Sequence, residues 1–134
     1  MKLFPQNGIV FDAGPIIGMT LSGVLWVLED LKKHYKGKFV ITPAVKRELI
    51  DQPLKTRKYK FESIRIMPLI ADNTLSLVEN EQIKKKAEEL SKLVNTIFFD
   101  GSKAIEVMHN GELEAVSACL VLGAKTLVVD ERTT

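Results

Sequence analysis

One cysteine, Cys119, is too few for an internal disulfide, so no covalent staple supports this chain of 134 residues. A lone thiol suits a reducing compartment, and among Ala and Leu it reads as a small core residue of a cytoplasmic protein. No run of about 18 apolar residues is present, which excludes a membrane span of the usual kind. "MKLFPQNGIVF" has one Lys, then Pro and Asn, and lacks the long apolar core of a signal peptide. There are only two histidines, His34 and His109, and neither stands at metal-ligand spacing with Cys119. A GxSxG elbow, a GxxxxGK[ST] loop and a GxGxxG fingerprint are all missing, so serine hydrolysis and nucleotide cradling lack their motifs. A net charge of +2 is too mild to announce a polyanionic partner by itself.

What is present is an ordinary soluble composition, 46% apolar and 27% charged, with a length suited to one domain. "GIVFDAG" is a β-preferring run, apolar on both faces, as in a strand buried within a parallel sheet. Gly14-Pro15 predicts a helix start, and Gly18 and Gly23 predict that the following apolar-periodic stretch is broken into two helices ending at Gly37. "KFVIT" predicts a second strand, and Thr42-Pro43 a capped start for the short helix "AVKRELID". "LKTRKYKFESIRIM" reads as a basic helix closed by Pro68, and "NTLSLVEN" as a third strand. "EQIKKKAEELSKLVNTIFF" predicts the longest helix, with Ile83, Ala87, Leu90, Val94 and Ile97 on one face. Its Lys84–Glu88 and Lys85–Glu89 pairs mark a solvated face. "KAIEVM" is a short strand or a loop. A helix of small residues spans 111–122, Gly123 stops it, and "TLVVD" reads as a final buried strand. Alternating strands and helices predict an α/β fold, a mostly parallel sheet sandwiched between helices in three layers.

The chemistry-bearing residues are acids. Asp12 and Asp130 fall at the C-terminal ends of the first and last strands, the edge of an open parallel sheet where ligands bind. Either alone could fix a turn. Glu48 lies too deep to serve the Thr42 cap, whose capping-box position is Val45; taken alone it is equally a surface glutamate paired with a lysine. Clustered carboxylates repel one another unless a cation neutralises them, and an all-oxygen set suits Mg²⁺ or Mn²⁺. From Lys46 to Arg65 seven basic residues face three acidic ones, with Tyr59 and Phe61 interleaved. That is a solvated basic helix or a surface that tracks phosphates through Lys46, Arg47, Lys55, Arg57, Lys58 and Lys60. Acids for a metal and a basic surface for a backbone together describe a nuclease.

"IVFDAGPII", "ITPAVKREL" and "HNGELEAVSACLVLGAKTLVVDERTT" occur in the order and spacing of the PIN domain family. The chain resembles most the prokaryotic VapC-like ribonucleases that carry a GExEA motif, over nearly its whole length. The resemblance implies a single α/β/α domain over 1–134 and a divalent-metal-dependent endoribonuclease using Mg²⁺ or Mn²⁺. It places the catalytic and metal-binding acids at Asp12, Glu48, Glu112 and Asp130, with Glu131 and Glu114 as supporting residues. Partners implied are RNA, an antitoxin protein where the chain is the toxin of such a pair, and a second copy of the chain. Three features depart from the pattern. Gly14 and Val128 stand where family members often carry hydroxyl residues. The chain also stops at Thr134, where relatives continue into a helix and often a strand.

Helix geometry separates the acids of "GELEA". Residues two apart on a helix point roughly 200° apart, so Glu112 and Glu114 cannot easily face one ion. Glu112 is the expected ligand, on a face continued by the small Ala115 and Cys119. With Gly111 as cap, Glu114 would occupy the capping-box position.

Overall fold

The computed structural model describes residues 8–97, 99–100, 103–104 and 110–130. The chain runs through β1 (Ile9–Phe11), α1 (Ala13–Leu21), α2 (Trp26–His34), β2 (Phe39–Ile41) and α3 (Pro43–Lys46). A π-helical turn (Arg47–Asp51), α4 (Gln52–Thr56), α5 (Lys60–Ala71) and β3 (Ser76–Leu77) follow. Then come α6 (Glu81–Ile97), the antiparallel ribbon β4 (Phe99–Asp100) and β5 (Lys103–Ala104), α7 (Asn110–Leu122) and β6 (Thr126–Val128). Four strands form one all-parallel sheet in the order β3-β2-β1-β6. This is the expected α/β class.

Period-2 alternation divides the strands between two cores. Phe11, Phe39 and Ile41 face the first, with Ile16, Leu25, Leu28, Leu49, Ile66 and Leu69 from the helices. Phe39 is held there by an edge contact to Phe11 (5.3 Å) and a stack on Tyr35 (5.4 Å). Val10 and Val40 face the other way, onto Ile83 of α6 and Ala115 and Ala118 of α7. Small residues on α7 let it lie close to the sheet, as its sequence implied. Helices thus cover both faces, an arrangement compatible with a three-layer sandwich.

Several boundaries differ from expectation for local reasons. Helix α1 begins at Ala13, not Pro15, with Asp12 as its N-cap residue. Gly18 continues that helix, and the break falls at Gly23 (φ +72°), where α1 and α2 bend by 119°. No single helix among the described residues is long and apolar enough to cross a membrane. Pro68 does not end α5, which runs on to Ala71. It lies on the exposed side, where solvent can serve the carbonyl of residue 64 that loses its donor. Among the described residues β6 pairs only with β1, at the edge of the sheet, and it is half-buried to exposed instead of the buried strand its composition suggested.

The segment from Pro43 to Thr56 is one composite helix, and Pro53 explains its irregularity. Without an N–H, Pro53 cannot serve the carbonyl of Leu49, its α-helical partner. The ladder slips to the wider spacing, with Gln52 N–H donating to the Arg47 carbonyl five residues back. The Leu49 carbonyl is satisfied from elsewhere, by the hydroxyl of buried Ser63 on α5 at 2.6 Å. Ser63→Ala is therefore expected to lower stability by about 1–3 kcal/mol, the cost of an orphaned buried acceptor. A urea midpoint unchanged from wild type would contradict this role for the hydroxyl.

Candidate functional site

The chain climbs from β1 through β2 to β3, then returns on the far side of β1 as β6. The strand order reverses between β1 and β6, so the crevice beyond their C-terminal ends is the topological switch point where parallel sheets bind ligands. Asp12 and Asp130 stand there. The Asp12 N–H donates to the Val128 carbonyl at 3.0 Å, and the Asp12 side chain, 7% exposed, does not cap α1. Gly14 lies against the second acid: a Cβ on it would stand 3.3 Å from the Asp130 Cβ. A side chain at position 14 would therefore crowd Asp130.

Glu48 and Glu112 reach the site by a different route. Helix α7 precedes β6 and runs antiparallel to the strands, so its first turn, with Glu112, begins at their C-terminal edge. Glu48 sits in the π-helical turn, and its carboxylate lies directly on buried Gly111; a Cβ there would collide with its Oε1 and stand 3.0 Å from its Cδ. Gly111 is thus inside the helix, which starts at Asn110, and serves as the floor for Glu48 instead of as a cap. Asp12 and Asp130 thus follow the paired strands β1 and β6, and Glu48 contacts Gly111, the residue before Glu112. Among the described residues, no three His, Cys, Asp or Glu side chains lie close enough together to hold a metal ion. The donor chemistry, all carboxylate oxygen, fits a hard divalent cation. Glu131 lies outside the described residues.

Glu114 has a defined task. Its Oε1 accepts from the Ala44 N–H at 2.9 Å, across 70 residues of sequence. The N-terminus of α3 is then fully accounted for. Pro43 has no N–H, Ala44 is served by Glu114, Val45 donates to the Thr42 hydroxyl (3.4 Å) and Lys46 to the Thr42 carbonyl (2.9 Å). The capping-box role is corrected: the carboxylate caps another helix, the one that carries Glu48. Glu114→Ala should cost about 1–2 kcal/mol and Glu114→Gln less, because the amide oxygen can still accept. Equal thermal midpoints for both variants and wild type would remove Glu114 from this role.

The six basic residues fall into two groups. Lys46 pairs with Asp51 at 3.6 Å, and exposed Arg47 lines a cleft of about 450 Å³ with Lys84, Glu88, Lys92, Asn110 and Glu114. A second cleft of about 250 Å³ shares Arg47, Lys84 and Glu114 but adds Glu79 and Glu81, so its charge is mixed. Lys55, Arg57, Lys58 and Lys60 form the other group, at the turn between α4 and α5. On α6 the exposed pair is Lys86–Glu89 (3.5 Å), three apart, while Lys84 and Glu88 are drawn into the cleft wall. Cys119 is half-buried near the Thr126 carbonyl, and burial raises its thiol pKa, which disfavours the thiolate.

Neither protein-family models nor curated proteins nor solved structures give a match to this chain.

Proposed function

We propose that the chain is a PIN-like, divalent-metal-dependent endoribonuclease. The observation that supports this reading is that Asp12 and Asp130 lie beyond the C-terminal ends of β1 and β6, at the switch point, while Glu48 lies against Gly111, the residue before Glu112. Asp12, Glu48, Glu112 and Asp130 would hold Mg²⁺ or Mn²⁺, which supplies a deprotonated water and charge neutralisation for a phosphodiester. The protein's own contribution is to hold the carboxylates in place. Buried Asp12 is fixed by the β1–β6 pairing, Glu48 rests against Gly111, and Glu114 ties the helix of Glu48 to that of Glu112. The cations at 46–60 would receive the RNA backbone. Apolar Leu21, Val24, Trp26 and Leu31, all exposed on α1, α2 and the bend between them, suit pairing with a second copy. An antitoxin partner belongs to the same reading.

The test is incubation of an end-labelled, unstructured RNA with the purified chain in Mn²⁺. Cleavage that stops on chelation, and leaves 5′-phosphate ends, is expected. No cleavage in Mn²⁺ or Mg²⁺, or cleavage indifferent to chelation, would overturn it. The second reading, a PIN-like module that binds RNA or protein without cutting, is favoured by Gly14 and Val128, which withhold hydroxyls from the site. It requires RNA or protein binding with no cleavage under any divalent ion.

A further inference from the structure

We infer that the turn joining α4 to α5 is a clamp for single-stranded RNA, with Phe61 as the platform on which an unpaired base stacks. This rests on the ribonuclease reading but adds a residue and a strand preference to it. Phe61 is 79% exposed, more than any other large apolar side chain among the described residues. Lys55, Arg57, Lys58 and Lys60 surround it in sequence, against the single acid Glu62. An exposed ring amid cations matches the two faces of an unpaired nucleotide: a base to stack and a phosphate to neutralise.

The turn has a fixed shape. Arg57 (φ +65°) and Tyr59 (φ +62°) both adopt the left-handed conformation, which is unfavourable for residues with a Cβ and persists only where surroundings impose it. Lys60 N–H closes the turn onto the Arg57 carbonyl at 3.4 Å, and Lys58 Nζ sits 5.1 Å from the centre of the Tyr59 ring. Ser63 anchors it: its hydroxyl reaches both the Tyr59 carbonyl (3.1 Å) and the Leu49 carbonyl (2.6 Å). Ser63 thereby ties the turn to the π-helical segment that carries Glu48.

An anionic membrane is the rival occupant, since Ile64 and Met67 extend the exposed apolar stripe along α5. A helix lying on a bilayer needs cations along its flanks. Here four of them fall within six residues before Phe61, at the turn, and beyond Lys60 the helix offers only Arg65. Charge complementarity at the turn thus favours the nucleic acid.

The experiment is fluorescence anisotropy of a fluorescein-labelled oligouridine in EDTA, where binding is read without cleavage. Phe61→Ala is expected to weaken binding about 10-fold, the loss of one stacked base, and Phe61→Trp to restore it. Lys58→Ala with Lys60→Ala should lower the slope of log affinity against log salt by about 1.4, at ~0.7 per phosphate released. The same sequence as a duplex should bind indifferently to Phe61. Unchanged binding by Phe61→Ala, or no binding by wild type, would overturn the clamp. So would Phe61-dependent sedimentation with phosphatidylglycerol vesicles alongside Phe61-independent RNA binding. Phe61-dependent binding without Mn²⁺ cleavage would keep the clamp and remove the nuclease. Cleavage with Phe61-independent binding would do the reverse.

Discussion

Asp12→Asn is expected to lower Mn²⁺-dependent RNA cleavage by at least about 10²-fold, some 2.7 kcal/mol of barrier, with the fold intact. The fold should survive because Asn is nearly isosteric and the Asp12 side chain makes no cap hydrogen bond to α1. The strand contact at this position is made by the backbone N–H to Val128, which the substitution retains. What changes is one negative charge at the switch point. Without metal, the variant's melting temperature should stay close to that of the wild type, because Asn keeps the side chain's shape and hydrogen-bonding oxygen. With metal, the variant lacks an anionic ligand. Cleavage at the wild-type rate would take Asp12 out of the catalytic set.

Gly111→Ala separates fold from function in a second way. In most helices Gly→Ala stabilises by roughly 1 kcal/mol, and Gly111 lies inside α7. A Cβ here collides with the Glu48 carboxylate, which is the far end of a flexible side chain and can swing aside. The expected result is a stability within about 1 kcal/mol of wild type, where the helix gain offsets the lost contact. Cleavage should nonetheless fall by about 10-fold or more, because Glu48 no longer holds its place. Gly111→Ala placed on Glu48→Ala should recover the full helix gain, since nothing remains to collide. Thermal melts and cleavage rates of the four proteins complete the cycle. Equal activity of Gly111→Ala and wild type would show that the position of Glu48 does not matter.

The parallel sheet was legible because a strand buried on both faces reads as an unbroken apolar run, as β1 and β2 do. Thr42-Pro43 announced its helix because the cap and the fixed φ are local properties. Asp12 and Asp130 could be placed at one edge from the alternation of strands and helices alone. The irregular features were hidden because their causes lie far apart in the chain. The π-helical turn follows from Pro53, but it survives through Ser63, and nothing near Leu49 signals that partner. Glu114 looked like a cap for its own helix, and only the packing of α7 on α3 shows that it caps the other one. Gly111 read as a terminus, whereas its missing side chain makes room for Glu48. A glycine one residue before a candidate acidic ligand was the available signal. Pro68 misled because a helix-breaking rule written for interiors does not hold on a solvated face.

The most direct test of the metal site is a melting curve recorded against increasing Mn²⁺. If Asp12, Glu48, Glu112 and Asp130 hold the ion as proposed, they do so in the folded state only, and about 100 Kd of free ion would add ~2.7 kcal/mol. The expected result is a rise of several °C for the wild type, and little or none for Asp12→Asn and Asp130→Asn. A flat wild-type curve, or equal rises in all three proteins, would contradict it.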